Sequence, residues 1–297
     1  MAGVMGVFAA LGTALCWAIA ARLFSATGNA FSPLSMNFWK GVVSIAILAG
    51  VLAVFPPAPY NMQDVVWLLL SGLIGIGIGD TCFFKALKSI GDSQAVLVAE
   101  TLAPLFTALF AMAFIGEWIT WQQWVGVAVV LFSVDMVIKA RKRSATHIFA
   151  TSGYLYGVGA ALCQAVGAVV SRDILGSGEV DAASAAFLRL IGGMAFVVPF
   201  MLITRSKWMP VMHKKGIWPV FILATLLGTT AAIYLQMFAF AYAKAAVVQT
   251  LIATSALMSI GVAWVMGEKA TKATIVWSAV ALCGVGILVS FGSPSPH

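Results

Sequence analysis

Three charged side chains interrupt long apolar stretches of the sequence, and they are the residues best placed to do chemistry. Lys40 and Glu100 lie at matching depths in two of these stretches, and Arg189 lies inside a third. A charge within a membrane span costs about 2.5–3.5 kcal/mol on insertion scales, so it is kept mainly where it lines a polar cavity or meets an opposite charge. These residues therefore predict a polar site inside the membrane.

Each charged residue also has a structural interpretation. Lys40 and Glu100 could form an ion pair that joins two helices, or Glu100 could contact substrate or exchange protons. The Arg189 guanidinium could hold a substrate carboxylate through two parallel hydrogen bonds, or it could bond to helix carbonyls or snorkel to the surface. Asp80 could be an interfacial charge in contact with Lys85 or Lys88.

Uncharged polar and aromatic residues supply the rest of the predicted site. Trp17 lies deep in the first apolar stretch, whereas most aromatic residues in spans are packing residues or interfacial anchors. Pro104 interrupts the hydrogen-bond ladder of its helix and predicts a bend suited to gating. The predicted substrate-binding residues are Trp17, Asn37, Lys40, Asp80, Phe83, Glu100, Gln164, Arg189, Tyr234 and Gln249.

The elements that must position these residues are membrane-spanning helices. Hydrophobic residues make up 62% of the 297 positions and charged residues only 9%, which is too apolar for a soluble domain. Crossing about 30 Å of hydrocarbon takes about 20 apolar residues, and the sequence contains ten such segments. The predicted spans are 4–22, 33–54, 64–84, 93–115, 119–138, 152–171, 181–203, 217–239, 245–266 and 272–291. We therefore predict an all-α integral membrane protein with ten transmembrane helices.

The sequence also repeats itself. Residues 93–120 align without a gap with residues 244–271, and both copies end in an apolar run followed by Gly-Glu. Five spans per copy is an odd number, so the second copy must insert upside down. We predict two inverted five-helix repeats, residues 1–140 and 151–297, around a central cavity, with a basic linker at 141–150. Gln164 is the repeat equivalent of Trp17. In the second copy Leu251 stands where the first copy has Glu100, so we predict that Arg189 has no acidic partner.

The distribution of basic residues predicts the orientation. Most of the 17 Lys and Arg residues border the odd-numbered connections, which the positive-inside rule assigns to the cytoplasm. Both termini are then predicted outside. The basic residues flank apolar runs and form no charged surface, so nucleic acid is not a predicted partner. Since one chain holds both halves, we predict a monomer whose partners are a small-molecule substrate and the lipid bilayer.

The sequence does not favour an enzyme. His147, His213 and His297 all lie outside the predicted spans, and there is no HExxH or GxSxG motif and no phosphate-binding loop. The four cysteines stand singly, which predicts neither a metal site nor a disulfide framework. We predict no cofactor and no metal. An intramembrane enzyme built from the few buried polar groups is a distant alternative.

Several short motifs carry a family resemblance over nearly the whole chain. Ala86-Leu87, the segment QAVLVAETLAP at 94–104 and Gly116-Glu117 are followed in the second copy by KAAVVQTLIATS at 244–255 and Gly267-Glu268. This pattern resembles the EamA module of the drug/metabolite transporter superfamily, although Ser255 replaces the usual proline in the second copy. The resemblance implies a basket of ten helices with a central cavity that opens alternately to each side.

Within that superfamily the chain looks most like bacterial inner-membrane exporters of aromatic amino acids, with methionine and threonine as further substrates. The resemblance therefore implies an amino acid exporter with periplasmic termini. A cavity that offers Arg189 or Lys40 to a carboxylate, Glu100 or Asp80 to an ammonium group and aromatic rings to a side chain would suit such a zwitterion. A multidrug transporter of organic cations is the alternative, because acidic and aromatic groups would attract those as well.

Overall fold

The computed structural model describes residues 2–27, 30–90, 92–141, 151–210, 216–265 and 272–291, and every structural statement below concerns those ranges. Their regular structure is helical. Thirteen α-helices follow one another along the chain: α1 Ala2–Ala26, α2 Pro33–Val54, α3 Met62–Gly72, α4 Gly79–Ile90, α5 Asp92–Phe114, α6 Trp121–Arg141, α7 Thr151–Gly176, α8 Ala182–Ile203, α9 Ile217–Thr225, α10 Ala232–Tyr242, α11 Ala245–Ala253, α12 Ser255–Val265 and α13 Lys272–Ser290. Two π-helical segments, Leu73–Ile78 and Leu226–Ala231, join α3 to α4 and α9 to α10.

Eight continuous helices in the described ranges are long and apolar enough to cross a membrane. They coincide with the first eight predicted spans, and each π-helical segment lies inside one of them. Where the last two spans are predicted, the described residues form two shorter apolar helices, Ala245–Ser259 and Ile275–Ser290. The all-α membrane architecture is therefore confirmed, while the count of ten spans stays a prediction. The predicted linker lies almost wholly outside the described residues.

Side chains cap several helix starts. The Ser32 hydroxyl accepts a hydrogen bond from the Ser35 amide ahead of α2, and an Asp181 carboxylate oxygen accepts from the amides of Ala183 and Ser184 at α8. These bonds satisfy amides that have no partner within the helix. Ser32 and Asp181 thereby fix the starts of α2 and α8.

Side chains at its own start also cap helix α6. Thr120 and Gln123 exchange side-chain-to-amide hydrogen bonds of 2.9 and 3.3 Å, which is a capping box. The Glu117 carboxylate is therefore free for another partner. Its Oε2 accepts from the amide of Ala245, 128 residues away, at the start of α11.

Close helix approaches fix which helix ends lie together. A Cβ on Gly6 would lie 2.9 Å from the Cβ of Ala243, and a Cβ on Gly12 would lie 3.3 Å from Leu235, so α1 runs antiparallel to α10. The start of α1 therefore lies beside the end of α10 and the Glu117–Ala245 contact. We call this side of the bundle the Glu117 face.

The other side is defined in the same way. A Cβ on Gly228 would collide with Ala20 near the end of α1, and a Cβ on Gly153 would lie 2.8 Å from Ser89. Arg172, near the end of α7, donates to the carbonyl of Phe240 near the end of α10, so α7 ends at the Glu117 face. The start of α7, the end of α4 and the end of α1 therefore lie on the other side. We call this side the opposite face.

Helices α3 and α8 pack backbone against backbone. A Cβ on Gly72 would collide with the carbonyl oxygen of Arg189, and one on Gly192 would collide with the carbonyl oxygen of Leu69. Small residues of this kind let membrane helices approach closely where burial of apolar surface gives no driving force. The two glycines therefore fix the height at which α8 presents Arg189.

This contact generates the first prediction. Gly72→Ala should lower the free energy of unfolding by about 1–3 kcal/mol, because a methyl group cannot fit without moving a backbone. Gly50→Ala is the matched control, since a Cβ at Gly50 meets nothing within 4 Å. The midpoints of thermal unfolding in detergent measure both variants. Equal midpoints for the two would contradict the close packing of α3 on α8.

Candidate functional site

A cavity of about 780 Å³ lies among helices from both halves of the chain. Helices α1, α2, α4, α5, α6, α7 and α8 contribute to its wall, and so do α10, α12 and both π-helical segments. Eight of the ten predicted substrate-binding residues line it: Trp17, Asn37, Lys40, Asp80, Phe83, Glu100, Gln164 and Arg189. The cavity thus brings together basic, acidic, amide and aromatic side chains that are far apart in the sequence.

The cavity extends toward the opposite face. Its wall includes Phe24 near the end of α1, Phe84 in α4, Val96 near the start of α5 and Val137 near the end of α6. On the side of the Glu117 face, all nine residues of α11 are buried. On that side α11 therefore contributes no residue to the described lining of this cavity.

The two π-helical segments both border this cavity. The first contributes Gly75 and Ile76, and the second contributes Gly228 and Thr229. They interrupt corresponding helices, the third predicted span of each half. A π-helical turn inside an α-helix often marks a functional site, because it displaces the helix surface that faces the ligand.

Arg189 is buried, with 6% of its surface exposed. One terminal nitrogen, Nη1, donates to the hydroxyl of Ser171 at 2.7 Å and lies 3.7 Å from the sulfur of Met237. The interpretation that Arg189 snorkels to the surface is therefore wrong. No ion pair within 4 Å joins Arg189 to a carboxylate in the described part of the chain, although Asp80 lines the same cavity.

Asp80 lines the cavity together with Lys40 and Arg189, and in the described part of the chain it forms no ion pair within 4 Å with Lys85. The side chain of Lys88, the other expected partner, lies outside the described residues. The Lys85 ammonium lies instead 5.1 Å from the ring centre of Tyr156. The carboxylate of Asp80 therefore shares the cavity with two cations, Lys40 and Arg189.

Lys40 and Glu100 line the same cavity but do not form an ion pair within 4 Å in the described part of the chain. The Lys40 ammonium lies 5.6 Å from the ring centre of Phe24, on the side of the opposite face. The Glu100 carboxylate is thus available to a cationic group that enters the cavity.

Three glutamines form a hydrogen-bonded chain at the inner end of the cavity. Gln236 donates to Gln249 at 3.5 Å, and Gln249 donates to Gln164 at 3.2 Å. Gln164 and Gln236 line the cavity, whereas Gln249 lies behind them with 4% of its surface exposed. Gln249 therefore orients the wall without being part of it.

Tyr234 does not join the other predicted residues. It lines a second cavity of about 1430 Å³ between α2, α10 and the α7–α8 connection, on the side of the Glu117 face. Tyr234 and Gln236 are two residues apart and so lie on nearly opposite sides of a helix with 3.6 residues per turn. Only one of them can face the first cavity. Pro104 also lies outside its lining, inside a continuous α5.

Three buried hydrogen-bond donors in the wall of the first cavity have no partner: Asn37 Nδ2, Arg189 Nε and Thr229 Oγ1. A buried polar atom without a partner costs about 1–3 kcal/mol, so such atoms usually mark a place where a ligand or water accepts. An oxyanion would satisfy donors of this kind. Thr229 was not predicted, because a lone threonine in an apolar helix usually bonds to its own backbone.

Comparisons with known proteins agree on the kind of protein. Residues 4–138 and residues 151–290 each match the model of the EamA-like transporter family. An uncharacterized transporter of Archaeoglobus fulgidus is 23% identical over 189 residues, which is 63% of this chain and 65% of that protein. The aligned part of this chain therefore spans slightly less than two thirds of that relative's length.

A second relative is an uncharacterized transporter from the cobO 3′ region of Sinorhizobium sp., 27% identical over 124 residues, or 38% of this chain and 86% of the relative. A solved structure, described only as the crystal structure of a protein, superposes with a TM-score of 0.80 at 20% identity and covers 97% of each chain. At that identity the superposition shows the fold alone.

The glutamine chain generates the second prediction. Gln249→Leu should lower the free energy of unfolding by about 1–3 kcal/mol, because the amides of Gln164 and Gln236 lose their shared partner in a buried place. Gln63→Leu removes an amide from an exposed helix start and is the matched control. Thermal midpoints in detergent compare the two. A loss in Gln249→Leu no larger than in the control would contradict a structural role for the chain of amides.

Proposed function

Because the chain belongs to the EamA-like transporter family, we propose that it exports amino acids, aromatic ones above all, by alternating access. One observation carries the proposal: a single cavity holds a guanidinium, two carboxylates and aromatic rings. Such a set matches the three parts of an aromatic amino acid, which are its carboxylate, its ammonium group and its ring. Methionine and threonine are further candidate substrates.

The carboxylate end of the substrate would bind at Arg189. This side chain is fixed by Ser171 through one nitrogen, while its Nε has no partner. Asn37 and Thr229 supply further unpaired donors in the same wall. Hydrogen bonds to a charged acceptor contribute about 1.5–3 kcal/mol each, which is enough to fix the orientation of a small zwitterion.

The ammonium end would bind near Asp80 and Glu100, and the side chain would lie against Trp17 and Phe83. These four residues come from α1, α4 and α5, all in the first half of the chain, whereas Arg189 belongs to the second half. An amino acid in this pose would bridge the two halves. Its binding energy could then favour one relative position of the halves over another.

Transport would follow from exposure of this cavity to each side of the membrane in turn. The separate family match of each half and the π-helical segment in the third helix of each half support two related units, which we propose to be inverted. We place the protein in the bacterial inner membrane with both termini outside, and we propose that it works as a monomer.

A transporter of organic cations is the second candidate. The two carboxylates and the aromatic residues of the cavity favour it, since a hydrophobic cation could use both. It would have no use for the unpaired donors of Arg189 and Asn37. The two candidates therefore differ in their dependence on Arg189.

Counterflow in proteoliposomes tests the choice between them. Vesicles loaded with unlabelled phenylalanine should transiently accumulate labelled phenylalanine, and Arg189→Ala should weaken its apparent affinity roughly 10- to 150-fold, as expected for the loss of about 1.5–3 kcal/mol. Arg189→Lys keeps the charge and should lose less. Asp135→Asn, which removes a surface ion pair with Lys139, is the control for altered charge.

Each result of that assay decides between the two functions. Accumulation of an organic cation that survives in Arg189→Ala but is lost in Glu100→Gln would replace amino acid export by drug efflux. Size-exclusion profiles of the variants separate loss of function from loss of fold. Turnover of a lipid in detergent, with no accumulation of any solute, would instead indicate an intramembrane enzyme.

The aromatic wall generates a further prediction. Trp17→Leu should lower the apparent affinity for phenylalanine by about 3- to 10-fold, since an aromatic pair contributes about 0.5–1.5 kcal/mol beyond its buried area. The affinity for threonine should change less, because threonine has no ring. Trp121→Leu, at an exposed position outside the cavity, is the matched control. Equal losses for the two substrates would place the substrate ring elsewhere.

A further inference from the structure

The Glu117 face carries a buried ion pair that the substrate site does not use. Arg172 Nε donates to Glu117 Oε1 at 2.6 Å, and the two side chains are only 5% and 13% exposed. The other Glu117 oxygen accepts from the Ala245 amide at 2.9 Å. Arg172 Nη1 also donates to the carbonyl of Phe240 at 2.7 Å. The pair therefore ties four segments of the chain together at one point.

The two bonds of Glu117 run between the two halves of the chain, whereas the bond from Arg172 to Phe240 lies within the second half. Glu117 lies in the connection between α5 and α6, while Arg172, Phe240 and Ala245 belong to α7, α10 and α11. Lys244 adds a bond of the same kind, because its ammonium donates to the carbonyl of Trp118 at 2.6 Å. On this side of the protein the first half is thus held to the second by charged contacts.

The cluster lies where a second opening of the cavity would have to form. Helix α11 follows directly after it and is buried along its whole length. Its repeat equivalent, the first part of α5, lines the cavity through Val96 and Glu100. By the proposed inverted symmetry, α11 would line the cavity when the Glu117 face opens. The carboxylate that holds the start of α11 must release it for that to happen.

We propose that the Glu117–Arg172 pair is a latch that keeps the Glu117 face closed while the cavity is open to the opposite face. The proposal rests on the alternating access proposed above. A buried ion pair contributes little net stability, because desolvation of both charges offsets their attraction. Water that enters as the face opens would solvate both charges, so such a latch can open and close without a large energy difference.

Cysteine labelling tests the latch without a substrate. In a chain whose four native cysteines are replaced by alanine, Val247→Cys reports access to α11 and Val96→Cys reports access to α5. Val247 is 5% exposed, whereas its repeat equivalent Val96 lines the cavity. Reaction with N-ethylmaleimide should therefore be slow at position 247 and fast at position 96.

Glu117→Gln is the informative variant. Its amide oxygen can still accept from Ala245, but it no longer carries the charge that holds Arg172. Labelling at position 247 should become faster on the order of tenfold, as expected for a coupling of this kind, and labelling at position 96 should become slower. Asp135→Asn removes an exposed ion pair and should change neither rate.

The two reporters separate a latch from a general loss of stability. Faster labelling at both positions would mean that Glu117→Gln loosens the whole protein, and it would overturn the proposal. An unchanged rate at position 247 would overturn it too. Neither rate involves an amino acid, so failure of the proposed substrate in counterflow would leave this test intact.

Discussion

A guanidinium group inside a membrane protein needs protein around it, and much of this bundle is arranged around Arg189. Its backbone carbonyl lies against Gly72, and a Cβ on Gly75 or Gly167 would come within 3.2 Å of its Nη2. Three helices can meet at this charge because three glycines leave room for it. Ser171 then fixes one nitrogen and leaves Nε without a partner. The glycine contacts that let α3, α7 and α8 pack closely thus also hold Arg189, with its unpaired Nε, in the cavity wall.

The electrostatic character of the cavity follows from that arrangement. With Arg189 fixed on the second half, the carboxylates of Asp80 and Glu100 lie on the first half and face the same space. Lys40 adds a second cation to the same lining. A cavity that holds charges of both signs favours a ligand that carries both charges, since a single ion would be attracted by some of these groups and repelled by others. At the inner end of the cavity, the three hydrogen-bonded glutamines supply amide groups that can both donate and accept hydrogen bonds.

The amino-acid sequence predicted the parts of this structure that depend on hydropathy and on isolated charges. Long apolar runs predicted the membrane-spanning helices. Charges within those runs predicted a polar site, and Lys40, Glu100 and Arg189 line one cavity. It could not predict contacts that depend on three-dimensional packing. Nothing in the sequence near Glu117 indicates that its carboxylate accepts a hydrogen bond from the amide of Ala245 and so caps α11. The sequence also could not predict which cavity Tyr234 lines, because the π-helical segment before it changes the angular position of every later side chain on that helix.

The two copies of the repeat occupy different environments, and that difference bears on mechanism. In α5, Val96 and Glu100 line the cavity, whereas Val247 and Leu251 at the equivalent places in α11 are buried. A pair of related segments, one lining a cavity and one packed, fits the alternating access proposed above. The copies also differ in charge, since only α5 carries a carboxylate. If the halves exchange environments, Glu100 stays at the site while the access changes, so the same charged groups can bind the substrate on either side.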